Sequence, residues 1–107
     1  MPVVLLLAIA IASEVGGTVA LRYTEGFTRL GPAVIVVAGY GLSFWMLALV
    51  LKQLPIGLTY AVWAAVGTAL IAGIGIVAFG EPAGTVKLLS LALIVAGVIG
   101  LNLAGSQ

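Results

Sequence analysis

Residues 58–79 read LTYAVWAAVGTALIAGIGIVAF, a stretch without one charged side chain. A helix crossing a bilayer needs about 20 predominantly apolar residues, because each residue rises ~1.5 Å through a hydrocarbon core ~30 Å thick. This segment meets that requirement alone. Downstream, Gly80-Glu81-Pro82-Ala83-Gly84 has turn chemistry and leads into a second apolar run, Thr85–Ala104. Upstream, Lys52–Gly57 is a link broken by Pro55 and Gly57, preceded by a third run, Pro32–Leu51. The polar link Arg22–Gly31 separates that run from a fourth, Val3–Leu21. The reading is an all-α membrane protein, a single domain over 1–107 with four transmembrane helices at about 3–21, 32–51, 58–79 and 85–104. The apolar runs are continuous and lack the period-two alternation of a transmembrane β-barrel.

Composition agrees. Hydrophobic residues make up 64% of the 107 positions and charged residues 7%, too few to clothe a water-facing surface. Four basic and three acidic side chains leave a net charge of +1, which gives no clustered cations for nucleic acid. Cysteine and histidine are both absent, so disulfide frameworks and thiolate or imidazole metal sites are excluded. Nothing in the chain suggests an enzyme or a bound cofactor. Val3–Ala12 has the length of a signal-peptide core, but it lacks a basic leader and its apolar run continues past Glu14. It is expected to stay as the first span.

Glu14 is the residue that bulk hydropathy does not explain. It sits in the middle of the first span, where an ionised carboxylate costs at least ~2.5–3.5 kcal/mol, and such acids mark ion or proton paths. Positions three and four away share its helical face: Ala10, Ile11, Gly17 and Thr18, all small but one. Small residues also serve plain helix packing. The second span carries Tyr40, Ser43, Phe44 and Leu47 on one stripe, and the third carries Tyr60, Trp63 and Gly67. Tyr60 is near enough to its span's end to be an interfacial aromatic. An acid beside aromatic walls forms a site for a hydrophobic cation, since a π-face attracts a desolvated cation by ~0.5–2 kcal/mol. The fourth span has no such chemistry. Its Ser90, Gly97 and Gly100 read as a helix-association surface.

The links carry orientation information. Arg22, Arg29 and Lys87 fall on one side of the membrane, Lys52 and the terminal amine on the other. That is three against one, or three against two with the amine, a weak orientation preference. The plain reading is a poorly biased protein that still inserts one way, and the sharper one is dual topology, with copies inserting both ways up. Two other readings share some features. A rotor-ring subunit also holds a lone membrane acid but is usually a two-helix hairpin. A non-transporting structural subunit would not need Glu14.

Together these residues resemble the small multidrug resistance family of bacterial exporters. The resemblance runs nearly the whole chain. Its strongest parts are Ala12-Ser13-Glu14-Val15-Gly16-Gly17-Thr18, Glu25-Gly26-Phe27-Thr28-Arg29-Leu30, Ser43-Phe44-Trp45 and Pro55-Ile56-Gly57-Leu58-Thr59-Tyr60-Ala61-Val62-Trp63. It implies a multi-pass protein of the bacterial inner membrane that exchanges protons, as coupling ion, for lipophilic cationic small molecules. It implies an antiparallel homodimer or a pair with a paralogous subunit. Glu14 would be the shared proton and substrate site, and Ala10, Gly17, Thr18, Tyr40, Ser43, Phe44, Tyr60 and Trp63 the rest of the chamber. Ser90 and Gly97, with Gly100, would dimerise. Val15-Gly16-Gly17-Thr18 lacks the Trp usual in the guanidinium-exporting branch, so the resemblance leans to quaternary ammonium compounds, with guanidinium as the alternative. The chain departs from the family pattern at Gly31, Ala64, Ala65 and Ser90.

Overall fold

The computed structural model describes residues 2–105. Four helices follow one another: α1 (Val3–Arg22), α2 (Leu30–Val50), α3 (Ile56–Phe79) and α4 (Thr85–Gly105). Each is long and apolar enough to cross a membrane. They form two compact units, one of α1 with α2 and one of α3 with α4.

The helix ends reflect the local sequence. The starts of α1, α2 and α3 have no side-chain cap; Pro2 and Pro55 serve as N-caps of α1 and α3. The Pro55 carbonyl accepts the Thr59 N–H at 3.0 Å, so α3 starts at Ile56 and takes in Gly57, ahead of the expected Leu58. Likewise α2 starts at Leu30, which leaves Pro32 still in the first turn, where a missing N–H is harmless. The expected link residues Leu30 and Gly31 are therefore helical.

The α1–α2 link is a tight left-handed reversal. Glu25, Gly26 and Phe27 have φ of 49°, 70° and 67°. Two of these are not glycine, and each such residue costs ~1–2 kcal/mol in this region. Thr24 holds the turn together. It is 1% exposed, its hydroxyl donates to the Leu21 carbonyl at 2.8 Å, and the Phe27 N–H donates to it at 3.2 Å. The Thr24 carbonyl accepts the N–H of Thr28 and of Arg29.

In the first unit, buried positions recur every seven residues, two helical turns, on both helices. Ala10 and Gly17 are buried on α1, and Val36, Ser43 and Val50 on α2, with Ser43 meeting Ala10 and Val36 near Gly17. At the centre the backbones nearly touch. A Cβ at Gly39 would lie 2.9 Å from the Ser13 carbonyl oxygen and 3.3 Å from the Gly17 Cα. Lipid tails are as apolar as leucine, so helices in a membrane are held by van der Waals fit and hydrogen bonds, which small residues permit.

The second unit is joined at its turn. Gly80, at φ 68°, ends α3, and the Glu81 N–H returns to the Gly75 carbonyl at 3.0 Å. The Glu81 side chain folds back over buried Gly75, where an added Cβ would lie 2.5 Å from its Oε1. Lys87 Nζ lies 3.6 Å from the same oxygen and donates to the Pro82 carbonyl at 3.2 Å. Lys87 thus closes the turn. α4 has no buried residue in its described span.

The contact at Gly39 yields a prediction. Gly39→Ala should destabilise the protein by about 1–3 kcal/mol, since the obstructing atom is backbone and cannot swing away. Gly41→Ala meets nothing within 4 Å and should be neutral or stabilising by up to about 1 kcal/mol. Unfolding in mixed micelles, titrated with a denaturing detergent, measures both. Equal effects would contradict the close approach.

Candidate functional site

Glu14 lies half-buried near the middle of α1. Thr18 is one turn further along, and its hydroxyl donates to Glu14 Oε1 at 3.2 Å. The same Thr18 oxygen is 2.7 Å from the Tyr40 hydroxyl of α2. An acid, an alcohol and a phenol therefore stand in one hydrogen-bonded row across the helix pair. All three are half-buried.

Glycine makes the row possible. A Cβ at Gly17 would sit 2.8 Å from Tyr40 Cε1 and 2.9 Å from Cδ1, so the phenol ring lies flat on bare α1 backbone. The close passage of Gly39 beside Gly17 brings Tyr40 to that spot. One turn further along α2, the Ser43 hydroxyl donates to the Ala10 carbonyl at 2.8 Å and pins the two helices. The partner of the carboxylate is thus a hydroxyl and not a cation, and α2 carries no charged residue at all. No group of His, Cys, Asp or Glu able to hold a metal occurs among the described residues.

The expected site residues fall into several sets. Glu14, Thr18 and Tyr40 are brought together. Ala10 and Ser43, each 0% exposed, lie in the seam between α1 and α2, with Gly17 beneath the Tyr40 ring. Phe44 is 63% exposed on α2. Tyr60, 74% exposed, and half-buried Trp63 are three residues apart on α3, and so share a face in the second unit. The expected association residues Ser90, Gly97 and Gly100 are all exposed on α4; the Ser90 hydroxyl is satisfied by its own helix, at the Val86 carbonyl.

Gly39 and the Ser13 carbonyl were not anticipated. A signal for them exists: Ser13 and Gly17 are four apart, as are Gly39 and Ser43, the small-xxx-small spacing of close membrane helix pairs.

The chain thus has four helices long and apolar enough to cross a membrane, with a hydrogen-bonded carboxylate near the middle of the first. The chain belongs to the family whose model is described as Small Multidrug Resistance protein, matched over residues 3–94. It is 48% identical over 97 residues to the "Quaternary ammonium compound-resistance protein QacF" of Klebsiella aerogenes, covering 91% of this chain and 88% of that one. It is 44% identical over 99 residues to QacE of Escherichia coli, which carries the same description, covering 92% and 90%. It is also 45% identical over 100 residues to the "Guanidinium exporter" of Proteus vulgaris, covering 94% and 96%. Relatives of both kinds thus stand at nearly the same identity. The protein is a multi-pass transporter of the bacterial membrane.

The placement of Tyr40 over Gly17 is open to a direct test. Gly17→Ala should push the ring off the backbone and break its 2.7 Å contact with Thr18. Gly16→Ala, where a Cβ meets nothing within 4 Å, should not. Tyrosine fluorescence and cation-binding isotherms of the two variants in detergent should therefore differ. Identical behaviour would contradict the packing.

Proposed function

We propose that this transporter exchanges protons for lipophilic quaternary ammonium cations, and that both compete for Glu14. One observation carries the reading. The mid-span carboxylate is held by one hydroxyl, that of Thr18, itself bonded to Tyr40, with no cation paired to it among the described residues. Ionised, it attracts a cation that has shed its water. Protonated, it is neutral and tolerable in a low-dielectric setting. Tyr40, Phe44, Tyr60 and Trp63 supply the π-faces that such a cation favours. A site that opens to one side at a time, and changes sides chiefly when loaded, lets a proton gradient drive export.

The choice of quaternary ammonium over guanidinium rests on residues 15–18, Val-Gly-Gly-Thr. No Trp crowds the acid there, and the outer face at Gly16 is open. The relatives named for quaternary ammonium resistance support it, while those named guanidinium exporters keep the alternative as an outcome of the test. A non-transporting structural role would leave Glu14 without purpose.

The working unit in this proposal is an antiparallel homodimer joined through α4, with pairing to a paralogous subunit as the variant arrangement. Two helix pairs are too few to enclose a drug-sized cation alone. α4 buries none of its span, and a Cβ at Gly97 or Gly100 meets nothing within 4 Å, so this surface is free for close packing against a second copy. Antiparallel copies supply the inverted symmetry that larger transporters get from internal repeats.

The experiment is transport in liposomes under a pH gradient, comparing quaternary ammonium compounds with guanidinium. Glu14→Gln should abolish proton-coupled uptake with folding intact, and Glu14→Asp should keep it with an altered pH optimum. Cation affinity should weaken as pH falls, because the proton claims the same oxygens. Gradient-driven uptake by Glu14→Gln, or affinity independent of pH, overturns the exchange. Guanidinium transport without a response to quaternary ammonium compounds moves the protein to the other branch.

A second prediction concerns assembly. Two further Lys beside Lys52 should orient every copy one way and abolish transport. Co-expression with an oppositely biased variant should restore it. Full activity of the singly biased variant rules out the antiparallel dimer.

A further inference from the structure

The row Glu14–Thr18–Tyr40 has a property that none of its members has alone. A hydroxyl carries one hydrogen and can accept on its lone pairs, while an ionised carboxylate only accepts. With Glu14 ionised, the Thr18 hydrogen is committed to Oε1, as the 3.2 Å contact has it. The 2.7 Å contact between Thr18 and Tyr40 then requires the phenol to donate. The Tyr40 oxygen faces its remaining surroundings as an acceptor.

Protonation of Glu14 changes the order. A proton on Oε1 makes that oxygen a donor, and Thr18 Oγ is the acceptor within reach. Leaving a carboxyl O–H unsatisfied in low-dielectric surroundings costs the desolvation of that group, which favours this placement. The Thr18 hydrogen, displaced from Oε1, then finds the Tyr40 oxygen 2.7 Å away as its acceptor, and when it turns there the Tyr40 hydrogen is set free. No proton passes along the row. One proton joins Glu14, and two hydroxyls rotate about their C–O bonds.

We propose that Thr18 is a reversible hydrogen-bond relay through which Tyr40 answers to the protonation state of Glu14, presenting an acceptor when Glu14 is ionised and a donor when it is protonated. This rests on the reading of Glu14 as the shared proton and cation site. The relay bears on substrate class. A cation with N–H groups, such as a guanidinium, is drawn to both the carboxylate and the accepting phenol, and loses both together on protonation. A cation without N–H groups loses only the carboxylate. Thr18 is accordingly a positioning residue for cations that donate hydrogen bonds.

The electrostatic setting of the row is simple. The helix packed on α1 in this unit is α2, and its one titratable side chain is Tyr40. On α1 itself the other charged group is Arg22, in the last turn. Tyr23, Glu25, Arg29 and Lys52 lie in the links. Glu14 is the one carboxyl among the described residues of α1 and α2, and it reaches Tyr40 through Thr18.

The test is pH-difference infrared spectroscopy on the full chain in lipid nanodiscs. It reads the carboxylic C=O band of Glu14 and the ring and C–O bands of tyrosine, with Tyr40→Phe assigning the latter. In the wild type the Tyr40 bands should move with the same midpoint as the Glu14 band. Thr18→Val removes the hydroxyl while keeping the volume; the Glu14 band should persist and Tyr40 should no longer follow. Thr18→Ser should restore the link. In binding assays, Thr18→Val removes a bond to the carboxylate that bears on both cations alike. Beyond that shared change it should reduce the pH dependence of phenylguanidinium affinity relative to that of tetraphenylphosphonium by roughly threefold to tenfold, the worth of one hydrogen bond. Tyr40 bands that stay still while Glu14 titrates in the wild type overturn the relay, and mean that Thr18 accepts from Glu14 and Tyr40 at once or that the proton rests on Oε2. So do Tyr40 bands that still follow Glu14 in Thr18→Val. Equal changes for both cations overturn its role in selectivity. The wild type against Tyr40→Phe decides the first point even if Thr18→Val does not fold. If Tyr40 follows Glu14 but neither cation competes with the proton, the relay stands and the exchange reading fails.

Discussion

The close passage of α1 and α2 at Gly17 and Gly39 is the contact on which the rest of the first unit depends. Gly39 meets the Ser13 carbonyl where a side chain would clash, and Gly17 leaves room for the Tyr40 ring. Separate the helices by the thickness of a methyl group and the 2.7 Å contact between Thr18 and Tyr40 is lost, as is the Ser43 bond to Ala10. In water, apolar burial could offset looser packing. In lipid it cannot, because the hydrocarbon solvates a separated helix as well as a neighbour does. Glycine at both positions is thus a requirement of membrane packing that also lets the polar row form.

The sequence discloses this architecture unevenly. The four helices and Glu14 stand out because a bilayer punishes charge so heavily that composition alone reports it. Thr18 and Tyr40 could be placed on faces by periodicity, but their meeting depends on the rotation of α2 against α1, which periodicity does not supply. Ala10 and Ser43 illustrate the limit. Both lie on the stripes expected to line a chamber, yet both are shut inside the α1–α2 seam. A small residue on the face of an acid serves packing or a ligand, and only the neighbouring helix decides which. Among the three residues of the left-handed reversal, Gly26 alone announces a positive φ; Glu25 and Phe27 are carried there by the bonds of buried Thr24.

The two units divide the work differently. The first holds the acid and a seam of hydroxyls. The second has no comparable seam among its described hydrogen bonds: Thr59 and Ser90 bond within or beside their own helices, at Pro55 and Val86. What closes it is the turn, where Glu81 lies over Gly75 and Lys87 reaches both Glu81 and Pro82. That ion pair is largely exposed, and such pairs contribute ~0–1 kcal/mol. The pairing at the turn therefore fixes the direction of α4 more than it stabilises the unit. α4 has no described residue in the core, and it is this surface that the proposed dimer uses.

The choice of hydroxyls as partners for a buried acid has a reason of its own. An Arg or Lys beside Glu14 would satisfy the ionised carboxylate so well that neither a proton nor a substrate cation could displace it. Breaking such a pair in a low-dielectric setting is costly, on the order of 3–5 kcal/mol. An apolar pocket would err the other way, keeping the acid neutral and deaf to cations. A hydroxyl commits to neither state. It donates to the carboxylate and accepts from the carboxylic acid with the same oxygen, after a rotation about one bond. Both loaded and unloaded forms of the acid then keep a hydrogen-bond partner. The proposed exchange, in which a proton is released to take a cation and the cation to take a proton, needs the two states close in free energy. Thr18 and Tyr40, which carry no charge of their own beside Glu14, are the kind of neighbours that allow it.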